Sequence, residues 1–241
     1  SGLLGMDTFQ LDFGTPGGKY NTDTQQFETG LTTNNTSLVT SILSAGTFFG
    51  ALLGAPLSDI FGRRIGLHMA MLVFCAGVAM QTGASPGQSG FHLLVAGRAI
   101  AGLGVGIVST IVPMYQSECA PRWIRGAIVS GYQWAITIGL LLASIVTYST
   151  SNRVDTGAYR IPIAVQIAFA IIMSTGLLFL PESPRWLVKK GHHEKAAHSL
   201  ARLNSSDIDD PIVRTELADI QTNLEIELTH GNGSYADCFK F

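Results

Sequence analysis

The chain of 241 residues is 46% hydrophobic and only 13% charged, with 27 Gly, 3 Cys and a formal net charge of −2. An ordinary soluble domain is about one-quarter charged, so this composition excludes a disordered chain, a collagen-like repeat and a coiled coil, and argues against a soluble enzyme. No basic field points to nucleic acid, and scattered cysteines, odd in number, give neither a disulfide framework nor a zinc ligand set.

In chain order, Ser1 to Phe9 reads as the outer end of a helix that is cut short, which suggests a fragment or a truncated product. Five apolar runs follow, at about 36–58, 65–84, 91–117, 126–149 and 161–180. Each is close to the roughly 20 residues that cross a bilayer core as a helix. Together they contain a single Asp, Glu, Lys or Arg residue, Arg98. A soluble core helix of such length would show a polar stripe. If the spans alternate, Arg63, Arg64, Arg122, Arg125, Arg185, Lys189, Lys190, Lys195, Arg202, Arg214 and Lys240 share one side. The other side holds only Lys19, Arg153 and Arg160, which assigns the arginine-rich side to the cytoplasm. The sequons at Asn34 and Asn35 then lie outside and are possible glycosylation sites, whereas those at Asn204 and Asn232 face the cytoplasm and should stay bare. The expected organisation is a transmembrane bundle over residues 1–181 and a cytoplasmic helical linker over 182–241. Within the linker, short amphipathic helices are expected at 184–190, 194–203 and 211–228. Ser183-Pro184 and Asp210-Pro211 each supply a cap followed by proline at the first helical position.

Gly46, Gly50 and Gly54 recur every fourth residue, and Gly102, Gly104 and Gly106 follow in a later span. Small residues at such spacing let two helices pack closely. A dinucleotide loop is rejected, because the spacing is not G-x-G-x-x-G and no strand precedes it. Arg98 is costly within a span unless it meets a partner or a wet cavity; a structural arginine paired with carbonyls and a charge facing a solute path both fit. No acid in the spans can pair with it, so its partner is expected elsewhere. Gln133 and Thr137, four apart on one helix face, lie beside aromatics, an arrangement suited either to hydrogen bonding between helices or to a hydroxyl-rich, uncharged solute. His192, His193 and His198 read as a solvated helix surface rather than a metal site, and no catalytic constellation or cofactor loop is found.

Three clusters at the arginine-rich ends share a pattern: Asp59-Ile60-Phe61-Gly62-Arg63-Arg64, the segment Glu118 to Gly126, and Pro181-Glu182-Ser183-Pro184-Arg185-Trp186-Leu187. Each places acids and arginines where an ion-pair network could close the inner side and break when it opens. With Gly97 to Gly106 and Gln133 to Gly139, these clusters resemble the sugar porter family of the major facilitator superfamily, in wording most similar to fungal hexose transporters. The resemblance covers the whole chain and implies the N-terminal half of a twelve-helix protein: an all-α membrane protein with a six-helix bundle whose first helix is truncated, then cytoplasmic helices. It implies alternating access with sugar near the midplane, in a multi-pass protein of the plasma membrane, without enzymatic activity, cofactor or metal.

Under that resemblance Gln133 binds sugar hydroxyls, Thr137 and Leu140 line the same site, and Arg98 matches an arginine that pairs with a first-helix Asp in proton symporters. Asp59, Arg63, Arg64, Glu118, Arg125, Glu182 and Arg185 match the inner gating salt-bridge network. Gly5-Met6-Asp7-Thr8 only imitates the family's first-helix motif, since Gln10 and Asp12 follow, so Asp7 is read as extracellular. The partners implied are a monosaccharide, the lipid bilayer and, in a symporter, a proton. A transporter-like sugar receptor and a truncated, non-transporting product are the alternatives.

Overall fold

The computed structural model describes residues 7–21, 26–85, 87–121, 124–151 and 157–229. Ser1 to Met6, Arg122, Arg153, the Asn232 sequon and Lys240 lie outside the described residues. The helices are α1 (Asp7–Phe13), α2 (Thr33–Phe61), α3 (Arg63–Thr82), α4 (Gln88–Cys119), α5 (Arg125–Ser151), α6 (Gly157–Leu178), α7 (Pro184–Lys189), α8 (His193–Asn204) and α9 (Pro211–Thr229). Among the described residues, α2 to α6 are long and apolar enough to cross a membrane. α2, α4 and α5 extend past the apolar runs at both ends, and α3 and α6 at their starts only, because polar residues there can hold helical backbone where water or other chain segments meet them.

Two strands, β1 (Thr15–Asn21) and β2 (Gln26–Gly30), form an antiparallel hairpin between α1 and α2. It departs from a purely helical expectation but leaves the all-α bundle intact. The ladder pairs Tyr20 with Phe27 and Asn21 with Gln26, and it slips between Thr15 and Lys19. That stretch holds Pro16, which has no N–H to donate to a ladder. No alternation of polar and apolar residues marks these strands, which is why the sequence does not announce them.

α1 continues past Phe9 to Phe13, and its two phenylalanines explain why. Both are buried, and each ring lies edge-on to Tyr159 of α6 at a centroid distance of 5.6 Å. The Tyr159 hydroxyl donates to the Asp12 carboxylate at 3.0 Å, and the Gly87 N–H donates to the Asp12 carbonyl at 3.0 Å. Asp12 is thus held at the end of the bundle, where its charge is met, rather than within a span. Val39, Val78, Leu94 and Ile163 complete this core, while Leu67, Ala70, Ile107, Ile111 and Leu177 form a second towards the opposite end.

The tightest seam joins α2 to α4. A β-carbon on Gly46 would stand 2.5 Å from the Ala99 carbonyl oxygen, and one on Gly102 would stand 2.6 Å from that of Leu43. Gly50 and Gly106 meet the Leu103 and Thr47 carbonyls still more closely. Backbone lies on backbone, as small-residue packing between apolar helices requires. The Thr110 hydroxyl adds a bond across the seam to the Ala51 carbonyl at 3.2 Å.

At the far end, Ser183 caps α7 by accepting the Trp186 N–H at 3.3 Å, with Pro184 in the first turn. Asp210 accepts the Ile212 N–H at 2.9 Å at the start of α9. Leu187, Val188 and Ala196 pack with Leu217 and Ile220 to join the three short helices.

In the intact protein, Gly50→Ala is expected to cost about 1–3 kcal/mol through overpacking, read as a lower Tm in detergent. Gly176→Ala, whose β-carbon meets open space, should leave Tm unchanged. Equal behaviour of the two would show that the seam tolerates side chains.

Candidate functional site

The residues of the three charged clusters meet at the end of the bundle where α2 hands over to α3. Gly62 makes the handover with φ +97°, a left-handed backbone that a side chain rarely adopts. A β-carbon there would also fall 2.7 Å from a Glu182 carboxylate oxygen. With Gly62 in place, Glu182 sits over the start of α3 and accepts the backbone N–H groups of Arg63 at 3.0 Å and Arg64 at 3.1 Å, together with that of Ser183 at 3.0 Å. A carboxylate against unpaired N–H groups at a helix start is favourable through both hydrogen bonding and the helix dipole.

Arg63 is the hub. Its Nε and Nη2 donate to the two oxygens of Glu118, each at 2.9 Å. Its Nη1 donates to Asp59 at 2.8 Å and to the Ser58 carbonyl at 3.1 Å. The side chains of Arg63 and Glu118 are only 7% and 9% exposed. Glu118 also accepts the Ser183 hydroxyl at 2.5 Å. The Trp186 indole N–H donates to the Asp59 carbonyl at 3.0 Å, the Tyr115 hydroxyl to the Pro181 carbonyl at 2.7 Å, and the Ser199 hydroxyl to the Glu182 carbonyl at 2.6 Å. Ser58, Ser183, Ser199 and Tyr115 were not legible as members from sequence. Only the position of Ser183 within the Pro-Glu-Ser-Pro run hinted at a role, as a cap.

The other expected members of the network are placed differently. Arg64 donates through its side chain to the Leu178 carbonyl at 2.8 Å rather than to an acid. Glu182 caps backbone instead of pairing with a guanidinium. Arg125 donates to the Ala120 carbonyl at 3.3 Å. With Arg185, Glu118, Asn204 and Glu216 it lines a polar cavity of about 710 Å³ between the bundle and α8–α9. Loops that look alike in sequence thus do unequal work, because only α3 begins where three acids converge.

Midway along the bundle, Arg98 on α4 is 6% exposed. Among the described residues no carboxylate pairs with it, and its Nε has no hydrogen-bond partner there. On α5, Gln133 is exposed and Thr137 donates its hydroxyl to the Gln133 carbonyl at 3.0 Å. Leu140 lies one further turn along that stripe and lines an apolar cavity of about 920 Å³ with Phe74, Val105, Tyr148 and Phe169. Gln133 and Thr137 do not line this cavity, so the three α5 candidates are not assembled into an enclosed site within the described residues. Asn34 and Asn35 fall in the first turn of α2, with Asn34 exposed. Among the described residues no cluster of His, Cys, Asp and Glu could hold a metal.

Residues 2–240 match the profile of the family described as "Sugar (and other) transporter". A major facilitator-type transporter of Aspergillus rugulosus is 48% identical over 240 residues, covering 100% of this chain and 43% of the relative. A probable glucose transporter of Neurospora crassa is 44% identical, covering 98% and 38%. A high glucose sensor of Saccharomyces cerevisiae is 42% identical, covering 87% and 27%. Among solved structures, the xylose transporter XylE of E. coli in a partially occluded inward-open conformation superposes with a TM-score of 0.79 at 25% identity, over 94% of this chain and 55% of that one. The chain therefore spans less than half the length of these curated relatives.

Arg63→Ala is expected to cost the intact protein about 3–5 kcal/mol, because it strands Glu118 as a buried, unpaired charge. Arg63→Met combined with Glu118→Leu should recover most of that loss. A double mutant no more stable than Arg63→Ala, by thermal unfolding in detergent, would remove Arg63–Glu118 as a coupled pair.

Proposed function

This chain belongs to the sugar (and other) transporter family, and on that premise we propose that it forms the N-terminal half of a transporter that carries a monosaccharide, glucose-like in its hydroxyl pattern, by alternating access. One observation supports this reading most directly. Gln133 stands exposed on a helix long and apolar enough to cross a bilayer, and while its carbonyl accepts the Thr137 hydroxyl, its side-chain amide bonds to none of the described residues. Lipid offers an amide nothing to bond with, so such a group belongs against a polar path. A second six-helix half would supply the facing wall.

In this reading Gln133 and Thr137 present a planar amide and a hydroxyl to sugar hydroxyls, and Leu140 bounds the site on its apolar side. Arg98 is the buried charge whose partner lies across the path or in the first helix, and it would answer to a co-transported proton. The Arg63 hub, with Asp59, Glu118 and the Glu182 cap, latches the bundle to its own linker helices at the cytoplasmic end. Arg64, Arg125 and Arg185 border that latch. Arg63, Arg64, Arg125, Arg185 and Arg202 gather at that end, whereas Arg160 lies at the end of the Asp12 cluster, which supports a cytoplasmic α7–α9. Asn34 then starts α2 on the outer face of the plasma membrane, where it and Asn35 are candidate glycan acceptors.

The sensor relative favours a second reading, in which the same site binds glucose and signals without net flux. Labelled-sugar uptake by the intact protein in a transport-null yeast separates the two, since a sensor binds and does not accumulate sugar. In a transporter, Gln133→Ala should raise the sugar KM about two- to tenfold, the worth of a lost neutral hydrogen bond being about 0.5–1.5 kcal/mol, with surface expression unchanged. An unaltered KM removes Gln133 from the site. Running the assay at two pH values reads whether a proton accompanies the sugar.

A further inference from the structure

The α8–α9 turn carries a feature that sugar movement does not explain. Asn204-Ser205-Ser206-Asp207-Ile208-Asp209-Asp210 joins the two helices. Ser205 turns the chain with a left-handed backbone, φ 52°, and is exposed. Ser206 follows, half-buried, its hydroxyl held only by a long 3.2 Å bond to the Asn204 carbonyl. Asp207, Asp209 and Asp210 stand at the first, third and fourth positions after it. Asp207 is exposed, the Asp209 side chain is 88% exposed even while paired with Arg214, and Asp210 is engaged only in capping α9.

We propose that Ser206 is a phosphorylation site for an acid-directed serine/threonine protein kinase. Such an enzyme reads carboxylates downstream of its target hydroxyl with a basic cleft, and the turn presents all three on an accessible loop beside a weakly held hydroxyl. The Ser206 Oγ attacks the γ-phosphorus of ATP. A new P–O bond forms, the bond to the β-phosphate oxygen breaks, ADP leaves, and the hydroxyl proton passes to the carboxylate base of the kinase. The product adds close to two negative charges to the turn. Asn204, two residues before Ser206, lines the polar cavity that Arg125 and Arg185 share with Glu118 and Glu216, so the new charge is added next to a residue of that chamber's wall. The site rests on the cytoplasmic placement of α7–α9 and is independent of which sugar is carried.

The test uses the intact protein, purified in detergent so that both faces are accessible, with an acid-directed kinase and labelled ATP, and mapping by mass spectrometry. Label is expected on Ser206, retained in Ser205→Ala and lost in Ser206→Ala. Asp209→Asn and Asp210→Asn, which respectively remove an exposed pair and keep a capping side chain, should slow labelling several-fold and flatten its salt dependence. Label on Ser205 instead, or none while an acidic control peptide is labelled, overturns the proposal. So does labelling in right-side-out but not inside-out membrane vesicles, and that result also overturns the cytoplasmic placement. Unchanged sugar uptake in Ser206→Ala separates this site from the transport reading.

Discussion

A guanidinium removed from water has to find an acceptor for its N–H groups, and among the described residues one buried arginine succeeds and one does not. Each of the three nitrogens of Arg63 donates to oxygen, from Glu118, Asp59 and the Ser58 carbonyl. Satisfying it draws the ends of α2, α3 and α4 to one point, and Glu182 over the start of α3 brings the exit of α6 there as well. The buried pair does not have to add net stability to matter; what it adds is a defined geometry, since either partner alone would be a stranded charge. Arg98 has no described carboxylate beside it and so ties no helix ends together in this way.

The long helices were legible because a bilayer imposes a length and an apolar content that few soluble segments match. The hairpin was not, since Thr15 to Gly30 carries turn residues rather than a two-residue period, and nothing in it speaks of lipid. α1 extends to Phe13 for a reason that needs the third dimension: Tyr159, distant in sequence, supplies both the aromatic face for Phe9 and Phe13 and the donor for Asp12.

The candidate site divides in the same way. Charges at the helix ends announced that an ionic cluster would form, yet not which charges would pair. Arg63 and Arg64 are neighbours of equal chemistry, but one finds two carboxylates and the other a carbonyl, because successive helical residues point about 100° apart. Ser183 and Tyr115 entered the cluster through hydroxyl groups whose partners lie more than sixty positions away in the chain. On α5, helical spacing put Gln133, Thr137 and Leu140 on one stripe, and the structure leaves all three exposed. A pattern can place residues on a face but cannot supply the wall opposite.

The α2–α4 seam has a bearing on how this bundle can change shape. Where two main chains touch without intervening side chains, there are no rotamers to reshuffle, and therefore no second way to interlock. The pair should travel as one beam during any rearrangement.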